Sequence, residues 1–103
     1  MKASQRHIPF QEIAERALLS AEYIVLQVAP GGLISGSEYK ALNPRRNDQK
    51  IGSFSINLSS GLWADFATGD KGGDVISYVA FCRGISQSEA ARWLAIKLGL
   101  RAW

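Results

Sequence analysis

Lys40, Arg45, Arg46 and Lys50 fall close together in the chain, opposed in that stretch only by Asp48. They leave +3 between Lys40 and Lys50, which equals the formal net charge of the whole 103-residue protein, so the remaining charges cancel. A balanced body with one basic loop suits a localised anionic partner better than general stickiness. Arginine forks onto phosphate oxygens, and lysine supplies a point charge at either end of such a loop. Trp63, on the polar side of an alternating run, and Tyr39 offer flat faces on which unpaired bases stack. Lys71 adds a further cation downstream. Cations interleaved with aromatics on a small sheet are what binding of single-stranded nucleic acid requires. Residue types alone fit equally well a solvated charged loop with Trp63 packed beneath a neighbouring segment.

Other reactive groups are sparse. Cys82 is the single cysteine, so no internal disulfide and no cysteine cluster for a metal can form. Its apolar neighbours Val79, Ala80 and Phe81 suggest a buried, inert thiol. His7 is alone near the start of the sequence. No nucleophile, base and orienting group come together, so catalysis by this chain is not expected. The segment Gly69-Asp70-Lys71-Gly72-Gly73-Asp74 precedes a helix and invites a phosphate-cradle reading. It lacks the P-loop pattern, and Asp70 and Asp74 would repel an anion, so a turn followed by a helix cap is the better account. Asp65, Asp70 and Asp74 as a cation site is not compelled by their spacing.

These residues sit among elements legible from periodicity. Phe10, Ile13, Ala14, Ala17, Leu18, Ala21, Ile24 and Val25 recur at helical spacing, which predicts a helical lead-in over 8–28 with a break allowed at Ser20. Pro30-Gly31-Gly32 ends it, and Leu33 to Ser37 reads as a loop in which Gly36 suits a positive φ. A three-stranded ribbon is expected over 38–67. Its first strand, Glu38 to Leu42, stops at Asn43-Pro44. The second, Ser53 to Leu58, alternates Phe54, Ile56 and Leu58 against Ser53, Ser55 and Asn57. Ser59-Ser60-Gly61 is read as a three-residue hairpin connection. The third run then sends Leu62, Ala64 and Phe66 to the core and leaves Trp63 and Asp65 on the polar face. Two helices are expected over 74–99, the first capped by Asp74 and closed by Gly84. The second opens on the capping box Ser86 to Glu89 and ends at Gly99.

One α+β domain, a small antiparallel sheet flanked by an N-terminal helix and two C-terminal helices, is therefore expected for residues 1–103. An apolar content of 47% with 20% charged residues argues for a globular chain. No apolar run approaches the roughly 20 residues of a membrane span. The start MKASQRHIPF leads into an amphipathic pattern with Glu12 and Glu15 rather than an apolar leader core, so a cytoplasmic protein is expected.

The ribbon resembles a known family. YKALNPRRNDQKIGSFSI looks like the stretch of bacterial and phage DNA primases that runs Tyr-Lys-x-Leu-Cys-Pro-x-His and then, after a few polar residues, Pro-Ser-Phe-Ser-Val. LWADFATGDKGGDVISYV is similar to that family's aromatic-x-Cys-x-x-Cys-Gly followed by Gly-Gly-Asp and an apolar helix. GISQSEAARWLAIKLGL resembles its closing helix. The likeness covers about Glu38 to Leu100, with about one extra residue in the glycine loop. The family's four zinc ligands fall on Asn43, Arg46, Asp65 and Thr68, none of them Cys or His as a structural zinc ribbon needs. The resemblance therefore implies a zinc-free variant of the primase zinc-ribbon domain, without a cofactor, of the kind found in primase-like proteins of phages, plasmids and integrated elements. It implies a template-recognition module for single-stranded DNA, acting with a primase catalytic core, helicase or polymerase. The expected contact residues are Lys40, Arg45, Arg46, Lys50, Trp63 and Lys71. The competing expectation is a protein-interaction adaptor that kept the fold and lost DNA binding, with Trp63, Trp93 and Trp103 as anchors.

Overall fold

The amphipathic lead-in folds as two helices, α1 (Phe10–Leu19) and α2 (Ala21–Val28), broken at Ser20. Ser20 occupies the cap position of α2, but its side chain makes no capping hydrogen bond. The computed structural model describes residues 8–47 and 50–100, so His7, Asp48 and Trp103 lie outside the described residues. Ile13, Ala17, Ala21, Ile24, Val25 and Val28 form the buried stripe of the two helices.

The sheet has five strands rather than three, in the order β1 (Leu33–Ser35), β2 (Glu38–Ala41), β3 (Phe54–Asn57), β4 (Trp63–Asp65) and β5 (Lys71–Gly72). Every neighbouring pair is antiparallel. The segment expected to be a loop, Leu33 to Ser37, supplies β1 and a two-residue turn, because Ser35 pairs with Glu38 across Gly36-Ser37. Gly36 has φ +60° while Ser37 does not take a positive φ. A glycine at the first central position is what a type II′ hairpin turn demands. The glycine-rich stretch supplies β5, which closes the far edge.

Two further helices, α3 (Val75–Arg83) and α4 (Gln87–Leu98), complete the fold. Asp74 caps α3 by accepting from the Ser77 N–H at 2.8 Å. Ser86 and Glu89 exchange the two hydrogen bonds of a capping box, and left-handed Gly84 and Gly99 end α3 and α4. The helices pack on one face of the sheet, where Tyr39, Ala41, Phe54, Ile56 and Trp63 join Ile76, Tyr78, Val79 and Cys82 in the core. Phe54 stacks on Tyr78 at 5.3 Å, and Trp63 meets Phe54 and Tyr78 edge-on. Burial pushes the Cys82 thiol up to about 12, as an inert buried cysteine requires.

Candidate nucleic-acid interface

The phase of β4 is the reverse of the sequence expectation. Asn57 accepts the Gly61 N–H and donates its own N–H to the Leu62 carbonyl. Four residues, Leu58 to Gly61, therefore make the turn, not three. Asn57 Oδ1 also accepts from the Ser59 and Ser60 N–H groups, and Gly61 takes φ +84°. Ile56 then faces Trp63, and Phe54 faces Asp65. One residue in the loop turns every side chain of the strand over. Trp63 is 6% exposed, whereas Leu62 and Phe66, assigned to the core by alternation, are 61% and 81% exposed. Trp63 is thus a core residue and not a stacking platform. Its indole N–H donates to Ser77 Oγ at 2.9 Å beneath Gly72, where a Cβ would overlap the ring. Tyr39 is buried as well, donating to the Ala29 carbonyl and accepting from the Gly32 N–H.

The basic loop is largely committed to the body of the protein. Arg45 Nη1 donates to the Phe81 carbonyl at the end of α3, 3.2 Å away. Arg46 lies 3.6 Å from Asp65, with its side chain 38% exposed. Lys50 is exposed. Arg45 and Arg46, expected as the principal phosphate forks, first of all tie the loop down.

The open face of the sheet is where the remaining candidates gather. Leu33, Lys40, Ser55, Ala64 and Lys71 are successive cross-strand partners in one row over all five strands. None of these five residues is buried. Three inter-strand steps, roughly 14 Å, separate Lys40 from Lys71. Between them lie only the short side chains of Ser55 and Ala64. Phe66 stands on the same face beside Ser53, whose carbonyl accepts its N–H at 2.9 Å. At the other end Asn57 Nδ2 donates to Glu38 Oε2 at 3.0 Å, which places one acid on the face. The arrangement is a shallow floor with a cation on either side and an exposed ring at one corner. Phe66 was missed because alternation was phased from the wrong loop length. Its signal was available in the four-residue alternative to the turn.

The four positions of the family's metal ligands do come together, as two turns. The Arg46 N–H donates to the Asn43 carbonyl at 3.0 Å, and the Thr68 and Gly69 N–H groups donate to the Asp65 carbonyl at 3.3 and 2.8 Å. Across the gap, Asn43 Nδ2 donates to Asp65 Oδ2 at 2.7 Å. Asn43 and Asp65 are the two buried polar residues among those described. Burial alone would raise the Asp65 carboxyl. Hydrogen bonds from Asn43, the Ala67 N–H and Ser53, with the charge of Arg46, outweigh it and hold the group below its ordinary range. This donor set does not fit a structural zinc ion. Asn43 Oδ1 is taken by the Arg45 N–H and Thr68 Oγ1 accepts from the Asp70 N–H. Arg46 brings a cation where a cation would have to sit. Among the described residues there is no group of three or more His, Cys, Asp or Glu that would hold a metal.

No protein-family model matches the chain, and no curated protein matches it. The fold is similar to that of Aquifex aeolicus primase, in a crystal structure of its zinc-binding and RNA polymerase domains. The TM-score is 0.69 at 25% identity, and the match covers 91% of this chain. The chain is thus primase-like in fold, with four helices and a five-stranded antiparallel sheet among the described residues. It spans 22% of the length of the primase chain it matches. No helix among the described residues is long and apolar enough to cross a membrane.

Proposed function

We propose that this chain is a non-catalytic module that binds single-stranded template DNA for a primase or primase-helicase of a phage, plasmid or integrated element. It would be a zinc-free relative of the primase zinc-ribbon domain. The observation that carries this reading is the uncovered sheet face, with Lys40 and Lys71 flanking the Ser55–Ala64 floor and Phe66 exposed at its edge. Phosphates would follow the lysines, with Lys50 extending the track, and a base would stack on Phe66. Arg45 and Arg46 lend charge from their anchored positions. Similarity of fold to a primase supports the assignment to primer synthesis and DNA replication.

Anisotropy of a labelled single-stranded oligonucleotide tests it, since a buried Trp63 makes tryptophan quenching an insensitive readout. Binding is expected to weaken steeply with salt. Lys40→Ala and Lys71→Ala should each lower the slope of log K against log salt by about 0.7. Phe66→Ala should cost about 1–3 kcal/mol of affinity. Wild-type protein that shows no salt-sensitive binding at low ionic strength would sink the proposal.

The adaptor reading has its own observation. Leu19, Tyr23 and Leu26 are exposed together on the outside of α1 and α2. Trp93 is half-buried, with Arg83 and Lys97 over its ring at 5.0 and 5.5 Å, and is less free to serve as an anchor. Association with a purified helicase or polymerase that Leu19→Asp abolishes, in a protein with no DNA affinity, would favour this second reading.

A further inference from the structure

We infer that Asp65, with Asn43 and Arg46 gathered on its carboxylate, replaces the metal of the ribbon tip, so that the chain holds its two facing turns without any ion. The inference rests on the proposed kinship only for the expectation that a metal would stand there. The lock itself is read from this chain. Each turn brings residues three apart together through an N–H to carbonyl bond, Arg46 to Asn43 and Thr68 to Asp65. That is the same spacing, with two residues between the pair, by which paired ligands grip a structural zinc. In a zinc ribbon the cation draws four donors inward. Here the polarity is inverted, because an anion at the centre draws in an amide, a guanidinium and the Ala67 N–H. Asp65 Oδ2 holds Asn43 at 2.7 Å and Arg46 at 3.6 Å, and Asp65 Oδ1 accepts the Ala67 N–H at 2.8 Å. Asn43 Oδ1 takes the Arg45 N–H at 2.7 Å, so the loop after β2 is gathered by the same pair. Arg45 then reaches the Phe81 carbonyl and carries the connection to α3. Asp65 is fully buried, and a buried carboxylate stripped of its partners, or partners stripped of it, is strongly destabilising.

The test reads metal content and stability, not DNA, so it can fail while the template-binding proposal stands, and the reverse. Full-length protein expressed with supplementary zinc should contain well under one equivalent by elemental mass spectrometry. Its Tm should be unchanged by EDTA or phenanthroline. Asp65→Ala should lower the Tm by on the order of 10–20 °C and speed amide hydrogen exchange at 43–47 and 65–70. One equivalent of zinc in the wild type, a Tm that falls with chelator, or an Asp65→Ala variant as stable as wild type would each overturn the inference. If Asp65→Ala does not fold, a chain carrying Asn43→Cys, Arg46→Cys, Asp65→Cys and Thr68→Cys together decides the matter. Folding that requires one zinc per chain supports a single stabilising role for the four positions. A quadruple variant that zinc does not fold contradicts it.

Discussion

A carboxylate with no solvent exposure is costly unless it is well supplied with donors, and Asp65 has them from Asn43, the Ala67 N–H, Ser53 and Arg46. The net result is a group held below its ordinary value of 3.8. Because the folded state lowers this value, its contribution is present in full at neutral pH. It is lost as the pH falls below about 4 and through the lower folded value. Thermal melts between pH 7 and 2 should show a loss of Tm across that window, and Asp65→Asn should flatten it. Glu89 is also held low by the Ser86 N–H and hydroxyl, so Glu89→Gln is the control that removes the cap's share. At the same scale, the Tyr78 hydroxyl is buried with no hydrogen-bond partner among the described residues, with the Cys82 thiol and Tyr39 as its titratable neighbours. Tyr78→Phe removes an unsatisfied group while keeping the ring that stacks on Phe54. It should change stability by less than about 1 kcal/mol in chemical denaturation, or raise it.

At the scale of elements, β4 and β5 explain why a glycine-rich stretch belongs to architecture. Trp63 lies opposite Gly72, and a Cβ there would overlap the indole nitrogen and Ser77 Oγ. Gly72→Ala must therefore displace the indole and break its bond to Ser77, which in turn donates to the Asp74 carbonyl at the start of α3. A loss of about 1–3 kcal/mol and a red-shifted tryptophan emission are expected, and a variant with unchanged emission would contradict the packing described. The elements themselves were mostly legible. Helical spacing located α1 and α2, and Asp74, the Ser86–Glu89 box, Gly84 and Gly99 marked α3 and α4 because capping is local chemistry. The short edge strands were not. β1 has three residues, all exposed, and β5 has two, so neither carries an alternating apolar pattern to read.

For the whole molecule, helices close one side of the sheet and the described residues leave the other open, so the proposed function would separate stability from recognition. Exchanging Lys40, Phe66 or Lys71 should leave the Tm close to wild type while changing oligonucleotide affinity. Exchanging Trp63 for Ala should do the opposite, costing about 3–5 kcal/mol of stability. Parallel melts and anisotropy titrations on the four variants check this, and a Phe66→Ala variant that unfolds with intact affinity would show that the faces are not independent. The six expected contact residues, Lys40, Arg45, Arg46, Lys50, Trp63 and Lys71, fall at different places in the fold. Trp63 went inside, and Arg45 and Arg46 hold the loop to α3 and β4. Lys40 and Lys71 share the open face, and Lys50 is exposed in the loop before β3.

What the amino-acid sequence determined by itself is whatever depends on neighbours within a turn or two: the helices and their caps, the alternation of β3, and the absence of Cys and His from the four ligand positions. Only the tertiary structure decided which face of β4 looks inward. Both phases of Leu62 to Phe66 bury an apolar residue, and the choice rests on one residue of turn length and on a Trp63 pocket built by Gly72 and α3. It also decided that Asp65 is buried. That residue is tolerable inside because Asn43, 22 residues earlier in the chain, is brought to 2.7 Å from it, a pairing that no local pattern encodes.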